Sequence, residues 1–453
     1  MEAKRSSFTG KIGFILAAAG SAVGLGNIWR FPYFAAKYGG GIFLLIYLIL
    51  AVTFGFALMC AEIAIGRKTG QSAVTAFGVL NKKYKFIGLL ASIVPMLILP
   101  YYCVIGGWVT KYFSVFVSGN VAASATPEFF ENFISQPVEP VGWFLLYLGL
   151  TAIIVLFGVE KGIEKVSKIM MPVLVVLTLV IAIYTMCMPG AMEGVLYYVI
   201  PDFSNFSIKT VLAAVGQLFY SMSLSMGIMI TYGSYMKKDV SIESSVRSIE
   251  LFDTGIAFLA GMMVIPAVFA CGTPSEDLTK AGPTLMFVVL PRVFNSLGPA
   301  IGSIVGALFF ILVFFAALTS SISLMETVVS IFRDKFGWSR RFTCIFVFVL
   351  SVVFGLPSCL GFSVLDFISL NGMTILDIFD FGTNSILMPI VALLTCLFIG
   401  YVIKPKTLSD EIALTGKFKS RIMFEVIIKY IAPVCIVLIL ISSVLDGLGI
   451  VKL

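Results

Sequence analysis

Apolar residues along this chain run in long blocks rather than in the stripe of a surface helix or the alternation of a half-buried strand, and charges collect between the blocks. One bilayer crossing needs about 20 mostly apolar residues. By that ruler about eleven segments qualify: 12–36, 42–66, 86–118, 142–159, 164–188, 208–236, 246–271, 298–332, 341–358, 374–402 and 422–447. The pattern predicts an all-α polytopic membrane protein, a single transmembrane domain over 1–453. Composition agrees, with 59% hydrophobic and 12% charged residues, too little polar surface for a soluble chain of this length.

Two of these spans are interrupted. Residues 17–33, AAAGSAVGLGNIWRFPY, place Gly20, Gly24, Gly26, Asn27, Arg30 and Pro32 in span one. Glycine loosens helical backbone, and a membrane-embedded Asn or Arg is costly unless it has a partner or a task. The stretch predicts a helix that breaks in mid-membrane and turns bare carbonyls and amides toward an ion and a solute. Residues 215–236, VGQLFYSMSLSMGIMITYGSYM, interrupt span six with Ser221, Ser223, Ser225 and Gly227. Five spans separate the breaks, an odd number, so a repeated unit must emerge upside down. The reading is a five-plus-five inverted repeat, with repeat one over about 11–188, repeat two over about 207–402 and an extra helix over about 422–447. Matching breaks in the two halves point to a secondary transporter's binding site. Thr319-Ser320-Ser321 in span eight and Asp377–Asp380 in span ten add polar groups, although small residues and back-bonded serines also serve plain helix packing.

Charge sets the orientation. Lys and Arg total 31 against 24 Asp and Glu, a net +7. The basic residues fall in alternate loops, such as Lys4, Arg5 and Lys11, then Arg67, Lys68, Lys82, Lys83 and Lys85, then Arg333, Lys335, Arg340 and Arg341. Opposite loops carry Glu128, Glu131, Glu139, Glu193, Asp202, Glu276 and Asp277. The positive-inside rule then places the N-terminus in the cytoplasm, and eleven spans put the C-terminus outside the cell membrane. The net charge is this bias and not a nucleic-acid footprint. The basic start resembles a signal peptide, but the segment after it is too long and too interrupted, so it reads as a retained span. Eight cysteines show no metal-ligand spacing and there is no histidine, which weighs against an intramembrane metalloenzyme. No nucleophile–base pair appears, and no enzyme is expected.

GSAVGLGNIWRFPY, the KYGGG of residues 37–41, GQLFYSMSLSMG, ITYGSY (230–235) and AALTSS (316–321) stand in this order along the chain. They resemble the signature blocks of the neurotransmitter:sodium symporter family, and the chain is nearest in character to its short, eleven-helix bacterial amino-acid transporters. The resemblance runs from about Arg5 to the end of span ten. It implies the five-plus-five fold with discontinuous helices 1 and 6, and sodium-coupled uptake by alternating access.

The resemblance also implies ion sites made of oxygen, as a small hard cation requires. One sodium would meet the Ala22 carbonyl, the Asn27 side chain, the carbonyl and hydroxyl of Ser221, Asp253 and the substrate's carboxylate. A second would sit between the carbonyls of Gly20, Val23 and Ala316 and the hydroxyls of Thr319 and Ser320. Asp253 stands where several relatives carry Asn. Many animal members need chloride near Tyr47, Gln217, Ser221 and a residue one turn beyond Asp253, here Ala257. A fixed carboxylate at Asp253 replaces the halide's charge, so chloride independence is expected.

For the solute, Gly24 lacks the carboxylate that the family's monoamine carriers place there, which favours a substrate bringing its own. Its α-carboxylate would meet the amides of Leu25 and Gly26 and the hydroxyl of Tyr102. Its ammonium would face carbonyls around Ala22, Tyr220 and Ser221, and Ser223. Ile98, Tyr102, Tyr220, Met226, Ser320 and Leu324 would line an uncharged pocket, suited to a hydrophobic or aromatic L-amino acid. Tyr102 and Tyr220 would form an outer lid, with Arg30 and Asp380 paired above it. Arg5 and Asp334 would pair at the inner gate, supported by Ser234 and Tyr235. Gly162 and Pro172 mark the cytoplasmic end of span five as able to unwind, or as a static kink. The rivals are a carrier of another small zwitterion, GABA-like or betaine-like, and a sensor that binds without translocating.

Overall fold

The computed structural model describes residues 7–270, 284–370 and 372–447. Among the described residues the chain is helical throughout, and its β-structure is confined to two isolated bridges, Gly40 to Pro201 and Leu370 to Met373. Among the described residues nine helices are long and apolar enough to cross a membrane: Gly41–Thr69, Lys82–Val117, Glu139–Leu156, Val159–Met186, Ile242–Ala270, Pro299–Phe336, Arg340–Leu360, Ile375–Ile403 and Arg421–Leu445. Span one is a bent pair, Lys11–Ala22 and Gly26–Lys37, with 53° between the halves. Span six is a second broken pair, Ile208–Ser221 and Ile228–Ser234. The expected order of spans is therefore present, with ends displaced by a few residues.

Local chemistry accounts for both breaks. Helix 11–22 ends where Val23 turns extended, at φ −73° and ψ 102°. Between the halves of span six, Ser223, Ser225 and Gly227 take φ of 52°, 61° and 71°, a left-handed backbone that cannot continue a right-handed helix. Amides freed in a membrane need partners. Gly24 N–H donates to Asn27 Oδ1 at 3.1 Å, and Ser225 N–H donates to Glu62 Oε1 at 2.6 Å.

Packing separates core from periphery. The most apolar stretch of span three is 72% buried, against 33% for span four, which turns residues such as Leu146 and Ile153 outward. Lipid on one side and protein on the other explains that contrast, since apolar exposure costs nothing against hydrocarbon. Gly66 and Gly233 let span two and the second half of span six touch. A Cβ on Gly66 would lie 1.8 Å from the Ile230 carbonyl oxygen, and one on Gly233 2.4 Å from that of Ile63.

Helices too short to cross fill the connections, among them Pro127–Ile134, Ala191–Val199, Leu290–Ser296 and Lys406–Ile412. Hydropathy did not foresee them. Phe287, just before Leu290–Ser296, meets the Trp108 ring at 5.9 Å and stacks on Phe130 at 5.0 Å, so one of these connections covers the end of span three.

Candidate functional site

The two breaks face each other across the centre of the protein and are joined by side-chain hydrogen bonds. Ser223 Oγ donates to the Ser21 carbonyl at 2.9 Å. Asn27 Nδ2 reaches Ser221 Oγ at 3.0 Å, Asp253 Oδ1 at 2.7 Å and the Asp253 carbonyl at 3.1 Å. Ser221 Oγ donates to Asp253 Oδ1 at 2.8 Å, and Tyr47 OH lies 3.2 Å from both Ser221 Oγ and Asp253 Oδ2. Asn27, Ser221 and Asp253 thus form one buried cluster. Gln217, at its edge, donates to the Gly26 carbonyl at 2.8 Å.

The second oxygen cluster lies on the other side of the span-one break. Ser320 Oγ stands 3.4, 3.1 and 3.3 Å from the carbonyl oxygens of Gly20, Ser21 and Val23. Thr319 Oγ1 bonds back to the Phe315 and Ala316 carbonyls at 3.0 and 3.1 Å. Among the described residues no group of three or more His, Cys, Asp or Glu side chains stands together, so the cation-binding chemistry on offer is backbone, hydroxyl and amide oxygens with the single carboxylate of Asp253.

Between the clusters lies a small pocket, about 20 Å³, lined by Ala22, Gly24, Leu25, Gly26, Ile98, Tyr102, Tyr220, Ser221, Ser223, Met226, Ser320 and Leu324 among others. Every residue expected to contact the solute is there. Two details differ from expectation. The Leu25 amide already donates to Tyr102 OH at 3.3 Å, so these two groups face each other and are not both turned to a carboxylate. The Ser223 hydroxyl, expected at an ammonium, bonds the Ser21 carbonyl instead. Both follow from a buried polar group taking the nearest partner.

Above the pocket opens a cavity of about 620 Å³, and Tyr220 lines both spaces, which fits a lid. Tyr102 lines only the lower one. The expected Arg30–Asp380 ion pair is not formed, although both residues line the upper cavity. Arg30 instead lies over the rings of Tyr220 and Phe34, at 5.0 and 5.2 Å. Asp380 Oδ1 accepts from Asn384, one turn along its own helix, at 2.6 Å.

At the opposite end, Arg5 lies outside the described residues. Asp334 accepts from the Ser72 amide at 2.7 Å. Tyr235 OH donates to Glu326 Oε1 at 2.8 Å, and Ser234 Oγ bonds back to the Thr231 carbonyl. Gly162 sits in a π-helical turn, Val159–Glu164, that opens span five, while Pro172 lies inside the continuous helix that follows. This end of span five is bulged and still wound.

Sequence reasoning missed Ser21, whose carbonyl joins three elements, and the buried carboxylates Glu62 and Glu326. Arg340 pairs with Glu326 and donates to the Val155 carbonyl at 3.0 Å. The signal for both acids was an ionisable residue inside an apolar span, which by default marks function.

Two interrupted helices that present backbone oxygens to a buried uncharged pocket, beside a wider cavity, define a membrane-embedded secondary transporter. The chain belongs to the Sodium:neurotransmitter symporter family, which it matches over residues 5–137 and 120–447. It is 34% identical to the uncharacterized sodium-dependent transporter YhdH of Bacillus subtilis, over 98% of each chain. It is 32% identical to an uncharacterized sodium-dependent transporter of Methanocaldococcus jannaschii, over 95% of this chain and 89% of that one. Among solved structures it superposes on MhsT in complex with L-phenylalanine, with a TM-score of 0.87 and 40% identity over 97% of this chain and 100% of that one. The protein is a multi-pass, sodium-dependent symporter.

Proposed function

We propose that this symporter imports hydrophobic or aromatic L-amino acids by alternating access, without needing chloride. The observation that carries the reading is the pocket itself. It joins both oxygen clusters, contains no charged side chain and ends on Ile98, Met226 and Leu324. A zwitterion enters such a site by placing its charges on unwound backbone and its side chain on apolar walls. The L-phenylalanine bound to MhsT, on the same fold, supports that class.

Sodium is cargo in this scheme. The Ala22 carbonyl, Asn27, Ser221, Asp253 and the substrate carboxylate hold one ion. Gly20, Val23, Ala316, Thr319 and Ser320 hold the other. Asp253 supports chloride independence because its carboxylate lies 3.2 Å from Tyr47 OH and 2.8 Å from Ser221 Oγ, the groups that would otherwise face a halide. Loop charge supports a cytoplasmic N-terminus and an inner or plasma membrane location.

A thermal-shift screen of the twenty amino acids in sodium and in potassium buffer tests the reading. Ligands that bind only the folded protein raise its melting temperature. Phenylalanine, tyrosine, tryptophan or leucine should stabilise it in sodium and not in potassium. Stabilisation by GABA or betaine alone would replace the substrate class, and no sodium-dependent shift would remove the amino-acid reading.

A further inference from the structure

Glu164 has no part in the ion sites or the pocket, yet it is 1% exposed and tied to the start of the first helix. It closes the π-helical turn Val159–Glu164 at the cytoplasmic end of span five. Its Oε2 accepts the Thr9 amide at 2.9 Å, and its Oε1 accepts the Thr9 hydroxyl. Lys168, one turn on and 43% exposed, reaches Oε1 at 2.6 Å. The approach is close because residue 13 is glycine: a Cβ there would lie 2.2 Å from Glu164 Oε1.

Residues 8 and 9 are held from the other side as well. Lys237 donates to the Thr9 carbonyl at 2.9 Å, and the Phe8 amide donates to the Tyr235 carbonyl at 3.2 Å. The buried Phe8 ring packs against Phe14 and Tyr232, at 5.6 and 5.5 Å. The chain entering helix 11–22 is therefore pinned by its amide to span five and by its carbonyl to span six. Span five also covers the proposed second sodium site, since a Cβ on Gly20 would meet Met171 Sδ at 3.4 Å and Thr319 Cβ at 3.2 Å.

We propose that Glu164 is a positioning residue that locks the start of the first helix onto the bulged end of span five. The cytoplasmic route to the second sodium then opens only when Thr9 leaves this carboxylate. A π-helical turn carries one residue more than an α-turn and is a natural place for a helix to rearrange. When Thr9 departs, Lys168 remains on Glu164, so the carboxylate is not left as a lone buried charge. The proposal rests on the alternating-access reading and adds the contact that must break in it.

Hydrogen exchange of the full-length protein in lipid nanodiscs, in sodium and in potassium, tests it. Glu164→Ala should speed exchange of residues 7–14 in sodium about tenfold or more, the scale of losing hydrogen bonds to a charged group. Glu164→Gln keeps one of the two acceptor oxygens that Thr9 uses and should fall between alanine and wild type. Gly13→Ala, which displaces the carboxylate by contact, should act like Glu164→Ala. In both disruptive variants the sodium concentration for half-maximal substrate binding should rise, with the binding maximum unchanged. Unchanged exchange over 7–14 in Glu164→Ala would overturn the proposal, as would an equal rise across all helices. If the wild type bound no amino acid in sodium, the transport reading would fall, and the exchange comparison would still decide the lock.

Discussion

Gly24→Ala probes the centre of the site with a single methyl group. The added Cβ would lie 2.6 Å from Ser320 Oγ and 3.0 Å from Tyr102 OH, whereas ordinary contact begins at 3.4 Å. Ser320 Oγ must therefore withdraw by about 0.8 Å and Tyr102 OH by about 0.4 Å. Both are side-chain tips, so the fold survives: Ser320 rotates away from the Gly20, Ser21 and Val23 carbonyls at a cost of roughly 1 kcal/mol, one neutral hydrogen bond. Function should not survive equally, because the rotated hydroxyl is a proposed sodium ligand and the displaced phenol stands where the substrate carboxylate is proposed to dock. Losing two such contacts, at about 1–1.5 kcal/mol each, weakens sodium-dependent substrate binding by roughly 30- to 150-fold. The assay is equilibrium binding of radiolabelled phenylalanine to purified protein, beside size-exclusion chromatography as a check on folding. A monodisperse Gly24→Ala that bound phenylalanine within about threefold of wild type would refute the placement of carboxylate and second sodium around this residue.

Two further perturbations reach the neighbouring groups. Asp253→Asn removes the buried charge beside Tyr47 and Ser221; at an effective dielectric near 20 a charge about 4 Å away is worth about 4 kcal/mol before desolvation is counted. The half-saturating sodium concentration should rise at least about tenfold and uptake should become stimulated by chloride, while wild-type uptake is the same in chloride and gluconate; chloride-insensitive uptake by the variant would count against the charge argument. Gly162→Ala sets a Cβ 2.2 Å from the Ile154 carbonyl oxygen, so the turn that opens span five must shift. Vesicle uptake should fall by about tenfold or more while phenylalanine binding, made by spans one, three, six and eight, stays within about threefold; equal losses in both would make the bulge a plain folding feature.

How much of this was legible in the chain follows from which forces act alone. Hydrocarbon imposes length and apolarity on every crossing, so the spans could be read directly, and Gly24, Asn27, Ser223 and Ser225 stood out as residues a lipid-facing helix would not keep. Which distant residues converge depended on family resemblance, and the pocket lining from Ile98 to Leu324 followed from it. The Arg30–Asp380 pairing failed because it is decided by rotamers and near neighbours. Tyr220 and Phe34 offer ring faces to Arg30, and Asn384 sits one turn from Asp380. Neither choice leaves a pattern in sequence. Glu62, Glu164 and Glu326 were legible in principle as acids inside apolar spans, but their partners, an unwound amide, a helix start and an arginine, are tertiary facts. The short connecting helices were hidden because segments such as Pro127–Ile134 are too brief for periodicity to separate from loop.

The two oxygen clusters differ in a way that bears on coupling. At the second, Ser320 brings one proton to three carbonyl oxygens and Thr319 one proton to two, so acceptors outnumber donors. An electron-rich cluster of that kind suits a cation with little rearrangement. At the first, Asn27 already spends its oxygen on the Gly24 amide and both amide hydrogens on Ser221 and Asp253. A sodium there must compete for that oxygen, and the competition is eased when a substrate carboxylate draws amides of the unwound segment toward itself. On the proposed assignment, the second cluster would fill without substrate and the first together with it. Because Gly24 touches both Asn27 and Ser320, solute and ion would meet at one backbone position on the proposed assignment, which is what a symporter needs if neither is to cross alone.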